Sequence, residues 1–100
     1  MTLLRYECND YSKYPKEIKH AYEYVDKQRT IKNWKSANVI DYKASNDLEV
    51  FNKSNHKQVN IKGIRTLMVT FHTDDEAELG PIIVFIDKNN KKVLGVGGRR

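Results

Sequence analysis

The chain has a single cysteine in 100 residues. Cys8 can form no internal bridge, so the fold must hold without a disulfide, and such usage fits a reducing compartment. As a lone thiol it reads as a small buried hydrophobe rather than a reactive centre. No apolar run approaches the roughly 18 residues of a membrane span, and the opening Met-Thr-Leu-Leu-Arg-Tyr-Glu has no signal-peptide core. A soluble, cytoplasmic protein is expected. The five glycines, at 63, 80, 95, 97 and 98, form neither a phosphate-cradling loop nor a dinucleotide fingerprint. Ser12, Ser36, Ser45 and Ser54 sit in polar stretches without a glycine elbow, so no nucleophile stands out. Repeats, low-complexity segments and Gly/Pro/Ser-rich linkers are lacking too, and residues 1–100 read as one domain.

What is present is enough for a core. At 39% hydrophobic residues, ten of them aromatic by count, the chain falls on the folded side of the composition divide. A domain of this length buries roughly two thirds of its unfolded surface. The formal charge of +5 invites a nucleic-acid reading. Lys16, Lys19, Lys27 and Arg29, however, are interleaved with Glu17, Glu23 and Asp26, the pattern of a solvated helix face. The denser basic set is Lys88, Lys91, Lys92, Arg99 and Arg100, the candidate patch for phosphate contacts.

Pro15 suits the first turn of a helix and Glu17 complements its N-terminus. Tyr14, Ile18, Ala21, Tyr22 and Val25 recur at three- and four-residue spacing, which predicts a helix from about 15 to about 29 with one apolar stripe. Residues 1–12 read as an irregular or short extended entry. Strands are expected over 37–42 and 48–51, with a polar hairpin loop at 53–57. The next strand begins at Val59 and Ile61, and the change of alternation at Lys62-Gly63 predicts a bulge within it. Beyond it Leu67, Val69 and Phe71 point one way, and Ile64, Thr66, Met68, Thr70 and His72 the other. An acidic loop, Thr73 to Pro81, leads to a strand over 82–87, an Asn89-Asn90 two-residue turn and a closing strand over 92–96. The expected class is α+β: one N-terminal helix packed on a curved antiparallel sheet of four to five strands.

Ile82-Ile83-Val84-Phe85-Ile86 carries no polar face, so both faces of the sheet must be covered there. A single amphipathic helix covers one. The other requires the sheet to curl on itself, a cavity, or a partner.

The closing hairpin, Gly80-Pro81-Ile82-Ile83-Val84-Phe85-Ile86-Asp87-Lys88-Asn89-Asn90-Lys91-Lys92-Val93-Leu94-Gly95, resembles the last two strands of small cystatin-like and PepSY-type bacterial domains. The resemblance covers about sixteen residues. It implies a sheet wrapped around one helix, and a role as inhibitor, immunity-type protein or accessory module. The cystatin protease-binding pattern Gln-x-Val-x-Gly is not met, because Gln58 to Gly63 holds an extra residue, and protease inhibition is not carried over.

Three function classes follow. The first is a non-enzymatic protein-binding module or homodimer, contacting its partner through Tyr24, Ile64, Met68, Ile82, Val84 and Ile86. The second is a small ligand-binding or enzymatic cone with His72 and Asp74 at the mouth of its pocket. The third is nucleic-acid binding through the basic set above. His72-Thr73-Asp74-Asp75-Glu76 is the densest cluster of acid-base groups, but its spacing meets neither a zinc nor a calcium pattern, so no metal and no cofactor are expected. His20 and His56 read as surface histidines. Trp34 reads as a plug over the end of the core.

Overall fold

In a computed structural model the chain is described over residues 10–25 and 30–97. It forms α1 (Asp10–Lys13), α2 (Pro15–Tyr24), a 3-10 turn at Trp34–Ser36, β1 (Asn38–Lys43), β2 (Glu49–Asn52), β3 (Lys57–Asn60), β4 (Arg65–Phe71), α3 (Glu76–Leu79), β5 (Ile82–Asp87) and β6 (Val93–Val96). The α+β class is as expected, but among the described residues three short helices accompany a sheet of six strands rather than four or five. The strand order is β1-β4-β5-β6-β2-β3 and every pairing is antiparallel.

Pro15 opens α2 and Glu17 lies in its first turn, as the sequence predicts. The helix stops at Tyr24, short of 29, because Val25 turns extended with its N–H donated to the Tyr22 carbonyl; residues 26–29 lie outside the described ones. Ile18 and Ala21 are fully buried and Val25 nearly so, against Leu67, Val69, Phe71, Ile82, Val84 and Ile86. At the end of this core Trp34 stacks on Tyr22, ring centroids 5.1 Å apart, with Tyr11 edge-on at 5.7 Å.

The opposite face of β4 and β5 is closed by the sheet itself. Residues Lys62-Gly63 are not a bulge but the reversal between two strands: Gly63 has φ +79°, and the Ile64 N–H reaches the Ile61 carbonyl at 3.0 Å. β3 and β4 stand four places apart in the strand order, about 19 Å if the sheet were flat, a distance incompatible with a tight turn joining them. The strip must roll. Where the segment leaving β3 meets the end of β1, Ala44 bridges Lys62 and accepts the Gly63 N–H at 2.9 Å. Inside the roll Val50, Ile61 and Phe85 are buried, with Leu48, Val59, Ile64, Met68, Ile83 and Leu94 packed around them.

Gly95 permits the fold-over. A Cβ there would stand 2.7 Å from the Phe51 carbonyl oxygen and 2.7 Å from Val50 Cγ2. Side chains ordinarily project away from a paired neighbour's backbone, so the sheet bends sharply where β2 pairs with β6, Phe51 opposite Val96. Two smaller expectations are corrected. The acidic loop contains α3. The β5–β6 connection is the five residues Lys88 to Lys92 rather than an Asn89-Asn90 turn, and its positive φ of 64° falls on Lys91. Asp87 organises it by accepting the Asn89 N–H on Oδ1 at 2.8 Å.

Candidate functional site

Of the residues expected to meet a partner, Ile82, Val84 and Ile86 are buried under α2. Ile64 and Met68 are half-buried against the β2–β3 hairpin, so the face expected to lack intramolecular cover has it. Tyr24, expected to be exposed unless covered, is half-buried. Its hydroxyl accepts the Lys53 N–H at 2.8 Å and the Lys53 ammonium sits 5.0 Å from its ring centroid, which ties α2 to the hairpin tip.

The cone reading placed His72 and Asp74 at a pocket mouth. His72 is half-buried just beyond β4, its carbonyl accepting the Lys32 N–H at 3.1 Å; Asp74 is exposed, its N–H donated to the Thr30 carbonyl at 2.8 Å. Both backbones thus staple the segment after α2 to the end of β4, and Ile31 bridges Thr73 there. Among the described residues no group of three or more His, Cys, Asp or Glu could hold a metal. No helix among them is long and apolar enough to cross a membrane.

The basic set is partly neutralised. Lys88 Nζ lies 2.7 Å from Asp41 Oδ1, and Lys91 Nζ lies 3.5 Å from Glu17 Oε2. Lys92 is exposed; Arg99 and Arg100 lie outside the described residues.

A different surface brings together two of the four exposed large apolar residues among the described ones, Phe51 on β2 and Leu79 on α3 standing elsewhere. β1 is the outermost strand on one side, and its register with β4 sets Ile40 beside Met68 and Tyr42 beside Thr66. Ile40 is 51% exposed and Tyr42 38%, two residues apart and so on one face. The Tyr42 ring is held by Phe85, centroids 6.2 Å apart, and Thr66 Oγ1 donates to the Tyr42 carbonyl at 2.7 Å.

The same strand lines an open cleft of about 260 Å³ with Asp41, Tyr42, Lys43, Arg65, Thr66 and Lys88. Cross-strand register places Lys43 opposite Arg65. The hydrogen bond from Lys88, together with the charges of Lys88, Arg65 and Lys13, holds the Asp41 carboxyl below the ordinary aspartate range. Lys43 and Arg65 form no ion pair among the described residues. One carboxylate therefore sits among four cations.

Sequence reasoning passed over this site because Val39 and Ile40 are adjacent and cannot share a face. The available signal was Asn38-Val39-Ile40-Asp41-Tyr42-Lys43 itself: Asp41 and Lys43 follow Val39 on one face, leaving Ile40 and Tyr42 together on the other.

No protein-family model, curated protein or solved structure matches this chain.

Proposed function

We propose that the protein is a non-enzymatic binding module, in the manner of an inhibitor or immunity-type protein, and that it docks a partner protein on the β1 strip of Ile40 and Tyr42 beside Met68. The observation that supports it is the exposure of two large apolar side chains, 51% and 38%, side by side on the outermost strand. Burying side chains of this size is worth roughly 1.5–3 kcal/mol each when complete. Tyr42 is pre-positioned by Phe85, which lowers the ordering cost of contact. The interior of the roll, which a ligand-binding cone would need open, is occupied by Val50, Ile61 and Phe85.

The test is site-specific photo-crosslinking in cells of the source organism, with a benzophenone amino acid at position 40, at 42, or at Lys57 on the opposite edge strand. A defined protein adduct from 40 and 42 but not from 57 is expected. Absence of any adduct at 40, or an equal one at 57, overturns the assignment.

A further inference from the structure

Tyr42 also lines the cleft whose charged residues, Asp41 and Lys43, stand on the other face of β1, and that cleft is predominantly cationic. Among the described residues Asp41 is the sole acid lining the cleft, and that acid is satisfied by Lys88 at 2.7 Å. Lys43 and Arg65 are exposed and lie across from each other on β1 and β4. They make no ion pair among the described residues, and Lys13 adds its charge to the field at Asp41. An interface combines a central apolar contact with a polar rim, and the rim charge selects the partner by complementarity.

We infer that the partner surface is acidic: a polypeptide that sets an apolar side chain against Ile40 and Tyr42 and places carboxylates in the cleft between Lys43, Arg65 and Lys88. This rests on the binding reading above and adds the partner's chemistry to it. A polypeptide is favoured over nucleic acid by Ile40, an aliphatic group with no π-face to stack on a base, which loses water only against other apolar atoms. A second copy of this chain is disfavoured because it would bring a like-charged rim to the contact.

The probe is a fluorescein-labelled peptide alternating glutamate and valine, followed by anisotropy. Its counterparts are glutamine–valine and lysine–valine peptides and a labelled oligothymidylate. The glutamate peptide is expected to bind at least about tenfold more tightly than the glutamine peptide at low salt, weakening as salt is raised. The K43E/R65E double variant, both positions being exposed, is expected to abolish that preference while its melting temperature stays within a few degrees of the parent. Equal binding of the glutamate and glutamine peptides, no binding of either, a preference that survives K43E/R65E, or tighter binding of oligothymidylate overturns the acidic-polypeptide assignment. Crosslinking from position 40 that persists undiminished in K43E/R65E would sink the charge inference and leave the binding reading standing; its absence in the parent would remove that reading itself.

Discussion

Replacing Gly95 by alanine tests whether the hairpin folds over the sheet. The new methyl would sit 2.7 Å from the Phe51 carbonyl oxygen, 2.7 Å from Val50 Cγ2 and 2.9 Å from the Phe51 carbonyl carbon. Carbon atoms pack best at roughly 3.5–4.0 Å, so each neighbour must retreat by the better part of an ångström. Val50 is fully buried and β-branched, and the other two atoms are backbone, so no flexible side chain can absorb the shift. Strain of about 1–3 kcal/mol is expected from such overpacking, and the backbone clash places it in the upper half. Relief of glycine's conformational entropy returns about 0.5–1 kcal/mol. A net loss of about 1.5 kcal/mol should lower the melting temperature by roughly 6–12 °C, read by circular dichroism. The loss should be accompanied by faster amide exchange in β2 and β3 than in β4. G97A is the control: its nearest contact is the ring edge of Phe85 at 3.3 Å, which can tilt, so about 0.5 kcal/mol or less is expected. G63A separates conformation from crowding, because nothing lies within 4 Å of its Cβ while its φ is +79°. If G95A proves as stable as the parent, or no worse than G97A, β2 does not crowd β6 at Gly95 as described.

Three further outcomes follow from individual contacts. Tyr24→Phe removes the acceptor of the Lys53 N–H and should cost about 1 kcal/mol in urea unfolding, with faster exchange at the hairpin tip; no change would mean that Tyr24 does not fasten the hairpin. Lys91→Gly relieves a φ of 64° and should stabilise by about 0.5 kcal/mol once the added chain entropy of glycine is deducted; destabilisation would contradict the loop conformation. Asp41 has a folded-state pKa lowered chiefly by the Lys88 hydrogen bond, so its contribution is present above the unfolded value of about 3.9 and is lost as pH falls through the folded one. Carboxyl-carbon NMR should show Asp41 titrating below ordinary aspartates, and Lys88→Ala should move it upward; an unshifted titration in the parent would refute the pairing.

Local signals were legible where local physics decides. β5 was bounded at both its ends because a run from Ile82 to Ile86 can only be a strand covered on both faces, and Pro15 placed the start of α2. The end of α2 was not legible, since the apolar stripe carries on through Val25 after the backbone has turned extended. Gly63 announced a shift of alternation, but a bulge and a reversal shift it alike; they differ only in which strands lie on either side, which the chain does not state locally. The positive φ fell on Lys91, a residue type that does not advertise it, because Asp87 captures the asparagine amides ahead of it. The site was the least legible part. The apolar residues nominated from β5 all lie in the core under α2, Ile64 and Met68 pack in the other, and the exposed pair Ile40 and Tyr42 stands on a strand whose short alternation carries little signal.

The roll and the exposed strip have a common cause. Inserting the β2–β3 hairpin between the paired strands β1 and β4 gives the chain a flap with which to cover its second apolar face, and the flap is only four residues long on each side. The cluster it encloses draws on β5 and on Met68 of β4, but no residue of β1 belongs to it. Cover therefore ends at β4, and Ile40 and Tyr42 are left beyond its reach. An exposed apolar edge invites indiscriminate sheet pairing unless charge is built into it. Asp41 and Lys43 alternate with Ile40 and Tyr42 on this strand, so an arriving strand of neutral apolar residues would have to desolvate the Asp41–Lys88 pair and two further cations without compensation. A surface that is apolar on one face and cationic at its margin rejects its own kind and generic greasy segments by the same device. A partner of the proposed kind would bring carboxylates of its own.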